Sequence, residues 1–326
     1  MLSLRCFTEW KKLMLLFIGL YGILLYYSCA HLWKRGIRNA STTLSSTEGL
    51  PTLSWNQNEV FSKTNISVDS PTKELINAEP SIAIGGGITC KRLGNIDDNN
   101  MGKKFHFFHT LLPTFCDTAS QHFVYKFYLA YDRNDRVFAN QRLSDAFRRQ
   151  FQLATTAAGS CSDRGIITNM SSFVECDHAG KPTWAQNDAM LEAYLDNVDY
   201  FYRINDDTKM LTGGWTEKFI STLERYDPPR VGVVGPSHSG GNVRILTYDF
   251  VHRTHVDVFG FYYPRLFTDW WGDNWMTNVY KPNRSTKIGN IRLRHTLGLG
   301  TRYRVHRYAR RHLGDQQAHD AAIIKR

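Results

Sequence analysis

A stretch of 21 residues with no Asp, Glu, Lys or Arg most limits what the N-terminal part of this chain can form. Residues 13–33 read LMLLFIGLYGILLYYSCAHLW, and about 20 apolar residues in a helix are enough to cross the hydrocarbon core of a bilayer. A cleaved signal peptide is the alternative, since the tripeptide at 28–30 has small side chains. The apolar stretch is longer than the roughly 7–15 residues of a signal peptide, so we expect a membrane anchor.

The residues after this segment decide its expected orientation, because Lys and Arg lie on both sides of it and do not discriminate. The next stretch is rich in Ser and Thr, and the chain carries Asn-x-Ser sequons at Asn39, Asn65, Asn169 and Asn283. Sequons favour the secretory route. We therefore expect a single-pass type II protein whose large C-terminal part is lumenal.

The cysteines beyond the apolar segment agree with an oxidising compartment. They are Cys90, Cys116, Cys161 and Cys176, and they allow two disulfides. The loop closed by Cys161–Cys176 is a candidate pair. No spacing of Cys and His in the sequence is typical of a zinc site.

These patterns divide the chain into four segments. Residues 36–79 are rich in Ser, Thr and Asn and have no sustained periodicity, which is typical of a stem or linker. The predicted organisation is a cytoplasmic tail at 1–12, a transmembrane anchor at 13–33, a stem at 34–79 and a lumenal domain at 80–326 that ends in a basic tail.

Beyond residue 80, stretches of strand character alternate with stretches of helical spacing. SIAIGGGITC at 81–90 and VYKFYLAYD at 124–132 are strand-like, as is VDYFYRI at 198–204, and the first is expected to end in a glycine turn. Residues 187–196 place apolar side chains at helical spacing. The alternation predicts an α/β domain with a largely parallel sheet.

A polar turn follows the strand at Tyr200 to Ile204. It consists of Asn205, Asp206 and Asp207, and ligands of open α/β sheets bind beyond the carboxyl ends of strands. Two adjacent carboxylates repel each other unless a cation compensates, and a divalent ion bound to phosphate oxygens would do so. The alternative is an Asx-turn that caps the next helix.

The residues around this turn resemble those of GT-A glycosyltransferases, over roughly residues 80–306. The strand and its acidic turn are similar to the Asp-x-Asp motif of that family, although this chain has Asn-Asp-Asp. FVYKFYLAYDRND is similar to the nucleotide-side strand, and GKPTWAQNDAMLEAYLDNVDYFYRINDDT is similar to the donor-binding stretch. VGVVGPSHSGGN and the residues after it resemble the acceptor half. The resemblance implies a GT-A-like, Rossmann-like fold with a mostly parallel sheet flanked by helices.

The resemblance also implies a bound Mn²⁺ or Mg²⁺ and the residues that hold it with a nucleotide-sugar donor. Asp207, in the third position of the motif, is the first choice for the metal. Asp206 and a C-terminal histidine, His295 or alternatively His306, are expected to contribute. The predicted contacts to the nucleotide or the donor sugar are Asp132, Lys181, Asn187, Asn205 and Asp206.

The segment FTDWWGDNWMTNVY places two carboxylates among three tryptophans. Aromatic platforms flanked by carboxylates suit carbohydrates, so Trp270 and Trp271 are predicted to bind the acceptor. A carboxylate beside them can take the acceptor hydroxyl proton. The place of the general base in inverting GT-A enzymes corresponds to Asp273, with Asp269 in reserve. The alternative is that these tryptophans belong to the core.

The C-terminal region is basic: no acidic residue occurs from Asn274 to Gly314, where arginines are frequent. Arginines there could neutralise a departing pyrophosphate. A solvated basic face is the alternative, and it is favoured for the arginines at 307–311. His238, His252 and His255 lack a Glu or Cys partner at ligand spacing and are interpreted as structural.

These expectations combine into one predicted function, an anchored glycosyltransferase of the Golgi or endoplasmic reticulum membrane. It would move a hexosyl or N-acetylhexosaminyl group from a nucleotide sugar to a carbohydrate or glycoconjugate acceptor, with inversion and with Mn²⁺ or Mg²⁺. A catalytically silent carbohydrate-binding membrane protein of the same fold is the first alternative. A nucleic-acid-binding protein is disfavoured, because no zinc-finger, RNP or helix-turn-helix pattern accompanies the net charge of +10.

Overall fold

The computed structural model describes residues 79–296, 303, 305 and 307–325. The predicted tail, the predicted anchor and nearly all of the predicted stem lie outside these residues, as does His306. Within the described part of the chain, no helix combines the length and the apolar composition needed to cross a membrane.

Strands and helices alternate through most of this part. The strands are β1 (Ser81–Ile88), β2 (Val124–Tyr131), β3 (Ile167–Glu175), β4 (Tyr200–Arg203), β5 (Thr208–Met210), β6 (Val233–Ser239), β7 (Phe250–His252) and β8 (Ser285–His295). The α-helices are α1 (Met101–Lys104), α2 (Leu112–Thr118), α3 (Gln141–Thr156), α4 (Pro182–Leu195), α5 (Trp215–Glu224), α6 (Thr254–Phe259), α7 (Gly272–Val279) and α8 (Leu313–Ile324). A π-helical turn at Phe107–Leu111 precedes α2, and 3₁₀ turns occur at Ser162–Arg164 and Arg307–His312.

The strands form one mixed sheet in the order β3-β2-β1-β4-β7-β6-β8-β5. The predicted α/β class is confirmed, and the N-terminal half is parallel as expected: β1 pairs in parallel with β2 and β4, and β2 with β3. In the other half β6 and β8 are parallel, whereas β7 is antiparallel to β4 and β6, and β5 to β8, so the sheet is mixed and four of its seven strand pairs are parallel. Parallel neighbours need a helical crossover, and the connection from β6 to β7 at 240–249 contains no helix.

The glycines of β1 belong to the strand rather than to a turn, which corrects the prediction for 81–90. A Cβ atom on Gly86 would lie 2.6 Å from the carbonyl oxygen of Ile204, and one on Gly85 would lie 2.8 Å from that of Tyr128. Real Cβ atoms do not approach backbone oxygens so closely, so these positions require glycine. They bring β1 against its neighbours on both sides.

The core lies on both faces of the sheet. Side chains alternate between faces along a strand, and in β1 Ile82 belongs to one buried cluster while Ala83 belongs to the other. Helices α2, α3 and α5 cover the first face, where the ring centroid of Trp215 lies 5.0 Å from that of Tyr202. Helices α4, α6 and α7 cover the second face, so the described domain has three layers.

The disulfide differs from the predicted pair. Cys116 in α2 is bonded to Cys161, and both belong to the cluster on the first face. Cys176 follows β3 and is buried in the cluster on the second face. The sheet therefore separates Cys161 from Cys176, and the candidate pair is wrong. Cys176 and Cys90 are buried and unbridged.

Candidate functional site

A cavity of about 450 Å³ lies where three parallel strands of the sheet end. Gly87 and Thr89 line it from the end of β1, Ala130 from the end of β2, and Asn205 from the residues after β4. Connections from β1 run toward β2 on one side, whereas β4 lies on the other side, so the strand order reverses at β1. A crevice at such a switch point is the usual ligand site of open α/β sheets.

The cavity brings together predicted site residues that are far apart in the sequence. Six of them line it: Asp132, Lys181, Asn205, Asp206, Asp207 and His295. Its other lining residues include Thr89, Lys91, Gln186 and Tyr303. A volume of this size suits a small-molecule ligand, because ligand pockets span roughly 300–1,000 Å³.

The pairing of β5 with β8 places His295 beside the acidic turn. Thr208, the first residue of β5, lies opposite His295 in the antiparallel register. As a result, Nε2 of His295 lies 3.3 Å from Oδ1 of Asp207. Thr296 then fixes the turn itself, since its backbone N–H and its hydroxyl both donate to the carbonyl oxygen of Asp207.

A glycine turn supports His295 from the other side. Gly240 has a φ of 85°, and a Cβ atom there would lie 2.8 Å from the carbonyl oxygen of His295. Only glycine adopts this backbone conformation readily and leaves room for the strand. This turn, directly after β6, therefore helps to seat a residue of the cavity.

Asp132 and Lys181 form the wall opposite the acidic turn. Both carboxylate oxygens of Asp132 accept a hydrogen bond from the backbone N–H of Gly180, at 2.9 and 3.0 Å, and Nζ of Lys91 lies 2.8 Å from Oδ2. Nζ of Lys181 lies 3.8 Å from the ring centroid of Trp184. These contacts hold the loop before α4 against the residues that follow β1 and β2.

Asn187 does not line the cavity, in contrast to its predicted contact with the donor. Its side chain is buried, and its Oδ1 accepts hydrogen bonds from the backbone N–H groups of Tyr262 and Tyr263. One residue along a helix rotates the side chain by about 100°, and it is Gln186 that faces the cavity. The structure thus gives Asn187 a packing role and offers Gln186 to a ligand.

A buried arginine lies directly beneath the acidic turn. Arg203 is 6% exposed, and its guanidinium donates to Oδ1 of Asn205 at 3.3 Å and to the hydroxyl of Tyr263 at 3.2 Å. The hydroxyls of Tyr262 and Tyr263 in turn donate to Asp249, which is fully buried. Burial raises the pKa of Asp249 to about 6, although the nearby Arg203 lowers it.

The two acidic candidates for the general base lie in the first turn of α7 (Asp273) and three residues before it (Asp269), and neither lines the cavity. Burial raises the pKa of Asp273, and Arg203 opposes that rise. Asp269 and, to a smaller extent, Asp273 raise the pKa of Tyr303, a cavity residue, after the larger effect of burial. Asp269 is buried, and its side chain accepts hydrogen bonds from the backbone N–H of Trp270 and from the hydroxyl of Thr268. Asp273 likewise accepts a hydrogen bond from the backbone N–H of Asn274, at 2.9 Å, so both carboxylates are held by hydrogen bonds.

The three tryptophans of this segment have different surroundings. Trp270 is 41% exposed, and its Nε1 donates to the hydroxyl of Tyr303 at 3.2 Å, so it extends the rim of the cavity. Trp271 is partly buried, and the guanidinium of Arg310 lies 5.7 Å from its ring centroid. Trp275 is core, as the alternative interpretation required for at least one of them.

Several lining residues were not predicted from the sequence, although the positions of Thr89 and Lys91 could have been. Ligands of open α/β sheets bind beyond the carboxyl ends of strands, and this rule predicted Asp206. With the glycines placed inside the first strand, the same rule predicts Thr89 and Lys91, which directly follow that strand. Gln186 lies on the same face of α4 as Pro182, four residues earlier, and both residues line the cavity. Tyr303 reaches the cavity through long-range folding, and no local pattern marked it.

Comparisons with known proteins find only distant structural likeness. No protein-family model matches the chain, and no curated protein matches it. The crystal structure of S. aureus TarS 1–349 overlaps with a TM-score of 0.40 at 11% identity, covering 67% of this chain and 60% of that one. The same protein in complex with UDP gives 0.40 and 11%, covering 66% and 60%. A candidate nucleotide-diphospho-sugar transferase from Desulfovibrio desulfuricans G20 gives 0.39 and 13%, covering 76% and 98%.

This chain thus spans about 60% of the TarS 1–349 structure. Structural overlaps with TM-scores of 0.39 to 0.40 do not establish a function, which therefore has to be argued from the residues of the cavity.

Proposed function

We propose that this chain is a metal-dependent glycosyltransferase that uses a nucleotide-sugar donor. The observation that carries the proposal is the cavity at the switch point, where Asp206, Asp207 and His295 meet Lys181 and Lys91. Acidic ligands on one side and cations on the other suit a metal-bound diphosphate. Hexosyl or N-acetylhexosaminyl transfer to a carbohydrate or glycoconjugate is part of the proposal.

The donor atoms around the acidic turn fit a divalent cation. Two carboxylates and one imidazole face the same cavity, and Nε2 of His295 already lies 3.3 Å from Oδ1 of Asp207. The two carboxylates suit Mn²⁺ and Mg²⁺ alike, and His295 would add one nitrogen ligand. Asp207, Asp206 and His295 would hold the ion, which when bound would neutralise charge on the donor diphosphate.

The remaining lining residues would hold the rest of the donor. Thr89, Lys91 and Asp132 follow β1 and β2 and offer polar groups for the nucleoside. Lys181, directly before α4, and Gln186, on α4, would contact the diphosphate or the sugar. Asn205 is held by Arg203 and would orient the turn rather than bind the ligand directly.

Asp273 is the proposed general base. Its carboxylate takes the proton of an acceptor hydroxyl as that oxygen bonds to the anomeric carbon, and the bond from that carbon to the nucleoside diphosphate breaks. This single displacement inverts the anomeric configuration. Trp270 and Tyr303 would present the acceptor at the rim, with Trp271 supporting them. Asp269, whose side chain accepts hydrogen bonds from Thr268 and Trp270, is the reserve candidate.

The cellular setting belongs to the same proposal. An anchor at 13–33 would hold the enzyme in the Golgi or endoplasmic reticulum membrane, with the domain from residue 80 in the lumen. Exposed sequon asparagines at 169 and 283 and a disulfide between Cys116 and Cys161 are compatible with that compartment.

A donor screen on the purified full chain tests this function. We expect one class of nucleotide sugar to raise the melting temperature in the presence of Mn²⁺, and to be consumed when an acceptor is added. Asp207→Asn should remove both effects. Asp117→Asn should not, because Asp117 is an exposed carboxylate whose ion pair with Arg164 contributes little to stability.

The two alternatives give different results in the same screen. Mn²⁺-dependent sugar binding without turnover of any donor would indicate the silent carbohydrate-binding protein. Absence of any response to donors and metal, with salt-dependent affinity for nucleic acid, would contradict the proposed function altogether.

A further inference from the structure

A second cluster of metal-ligating side chains lies beside the loop that forms the cavity wall. Cys176, His178 and Asp188 each offer one ligand atom, and the three atoms lie within 4.8 Å of one another. Cys176 is 1% exposed and His178 is 8% exposed, while Asp188 on α4 is half-buried. None of these residues belongs to the proposed transferase site.

The hydrogen bonds of the cluster leave one polar atom unexplained. Nε2 of His178 lies 3.0 Å from Oδ2 of Asp188, and the guanidinium of Arg265 lies 3.3 Å from Oδ1. Among the described residues, the buried Nδ1 of His178 has no hydrogen-bond partner. A buried ring nitrogen without a partner is costly, which marks the histidine as more than a simple core residue.

We propose that Cys176, His178 and Asp188 bind a zinc ion, distinct from the cation of the acidic turn. A thiolate and an imidazole are the ligands that Zn²⁺ prefers, whereas Mn²⁺ and Mg²⁺ favour oxygen. Three protein ligands leave one position of a tetrahedral shell for water. The ionised thiolate and carboxylate together carry two negative charges, which balance the two positive charges of the ion.

Binding requires the thiol proton to leave. Burial raises the pKa of Cys176, and the nearby Asp188 raises it further, so the thiol is protonated without the metal. On binding, the thiol releases its proton to solvent and the sulfur coordinates zinc. Asp188 keeps the contact from Arg265 on its other oxygen, and such outer contacts orient a ligating carboxylate.

The geometry assigns the ion a structural role. It would join the loop at 176–180 to α4, and that loop carries the Gly180 N–H that holds Asp132. The ring of Trp184 on α4 also contacts His178 edge-on, at 5.3 Å between centroids. Zinc should therefore stiffen the wall of the cavity without taking part in the chemistry.

Cobalt substitution tests the site on the metal-free full chain. Co²⁺ bound by a thiolate gives an intense charge-transfer absorption in the near ultraviolet, and Zn²⁺ should abolish it by displacing the cobalt. We expect Cys176→Ser to lose this absorption and His178→Gln to weaken zinc binding by more than about tenfold. Cys90→Ser is the matched control, because Cys90 is the other buried, unbridged thiol of the described residues.

Asp207→Asn separates this proposal from the transferase function. The variant should keep the cobalt absorption and the zinc affinity even though it loses the donor response. The zinc site is contradicted if cobalt binds without a thiolate band, or if Cys176→Ser keeps the band. If Cys176→Ser does not fold, unchanged zinc affinity in His178→Gln overturns the proposal on its own.

Discussion

At the scale of single residues, the chain places charge in its interior where the acidic turn begins. Arg203 and Asp249 are both buried and are linked through the hydroxyl of Tyr263. A buried charge is tolerated only with partners, and this group of side chains connects β4, β7 and the residues before α7. The same arginine reaches Asn205, so one side chain links the core to the turn.

Asp249 gives a prediction about stability and pH. Its folded-state pKa of about 6 lies above its ordinary value of 3.8, so the folded protein binds the proton more tightly than the unfolded chain does. The stability that this residue contributes is present below about pH 4 and is lost as the pH rises through about 6. The difference between the two pKa values limits the loss to about 3 kcal/mol.

Chemical denaturation across that range checks the prediction by comparing variants. For Asp249→Asn, the free energy of unfolding should not show the decrease that Asp249 causes as the pH rises through about 6. Asp163→Asn, at an exposed carboxylate, should follow the wild-type curve. A wild-type curve that rises steadily from pH 4 to 6, with the Asp249→Asn curve parallel to it, would contradict the prediction.

Asp273 gives a prediction about the reaction. Asp273→Asn should slow sugar transfer by about 10²- to 10⁴-fold and leave donor affinity unchanged, because general-base catalysis contributes in that range. Burial raises the pKa of Asp273, so this carboxylate takes up a proton at a higher pH than an ordinary aspartate does. As the pH is lowered, the wild-type rate of transfer should therefore begin to fall at a higher pH than it would with an ordinary aspartate as the base. Asp269→Asn is the comparison, and a larger loss there would move the role of base to Asp269.

At the scale of elements, the contact between β1 and β4 sets the position of the acidic turn. Gly86→Ala would place a methyl group 2.6 Å from the carbonyl oxygen of Ile204, one residue before Asn205. We expect a loss of about 1–3 kcal/mol in stability and weaker Mn²⁺ binding, because overpacking must push the strands apart. Gly289→Ala in β8 meets no atom within 4 Å and should change neither property. Equal effects on both variants would show that β1 tolerates the methyl group.

Local sequence patterns predicted the strands and turns that follow from hydrophobic runs and the polar residues at their ends. They failed where contacts between residues distant in the sequence determine the structure. The strand at 124–132 and the acidic turn followed from hydrophobic runs and polar ends. The glycines of β1 were misread, because only the approach of Ile204 explains them. The Cys161–Cys176 pair failed because the sheet separates the two sulfur atoms, and nothing in their spacing reveals that.

At the scale of the whole molecule, the cavity depends on segments that meet only in the folded domain. Thr89 follows β1, Asp132 follows β2, and His295 ends β8. The resemblance, rather than any local pattern, placed His295 near Asp207. A zinc ion at Cys176 and His178 would add a further long-range link beside the same wall.

The proposed lumenal orientation of this domain yields the last prediction. Asn169 lies exposed on β3, at the edge of the sheet, within the sequon Asn169-Met-Ser171. When the full chain is expressed in a cell with a secretory pathway, we expect that sequon to carry a glycan that peptide N-glycosidase removes. Ser171→Ala should remove one glycan, whereas Ser171→Thr should keep it, because threonine also completes a sequon. Identical gel mobility of the two variants would argue against glycosylation at Asn169. If Asn283→Gln also left the mobility unchanged, the proposed lumenal orientation would be contradicted.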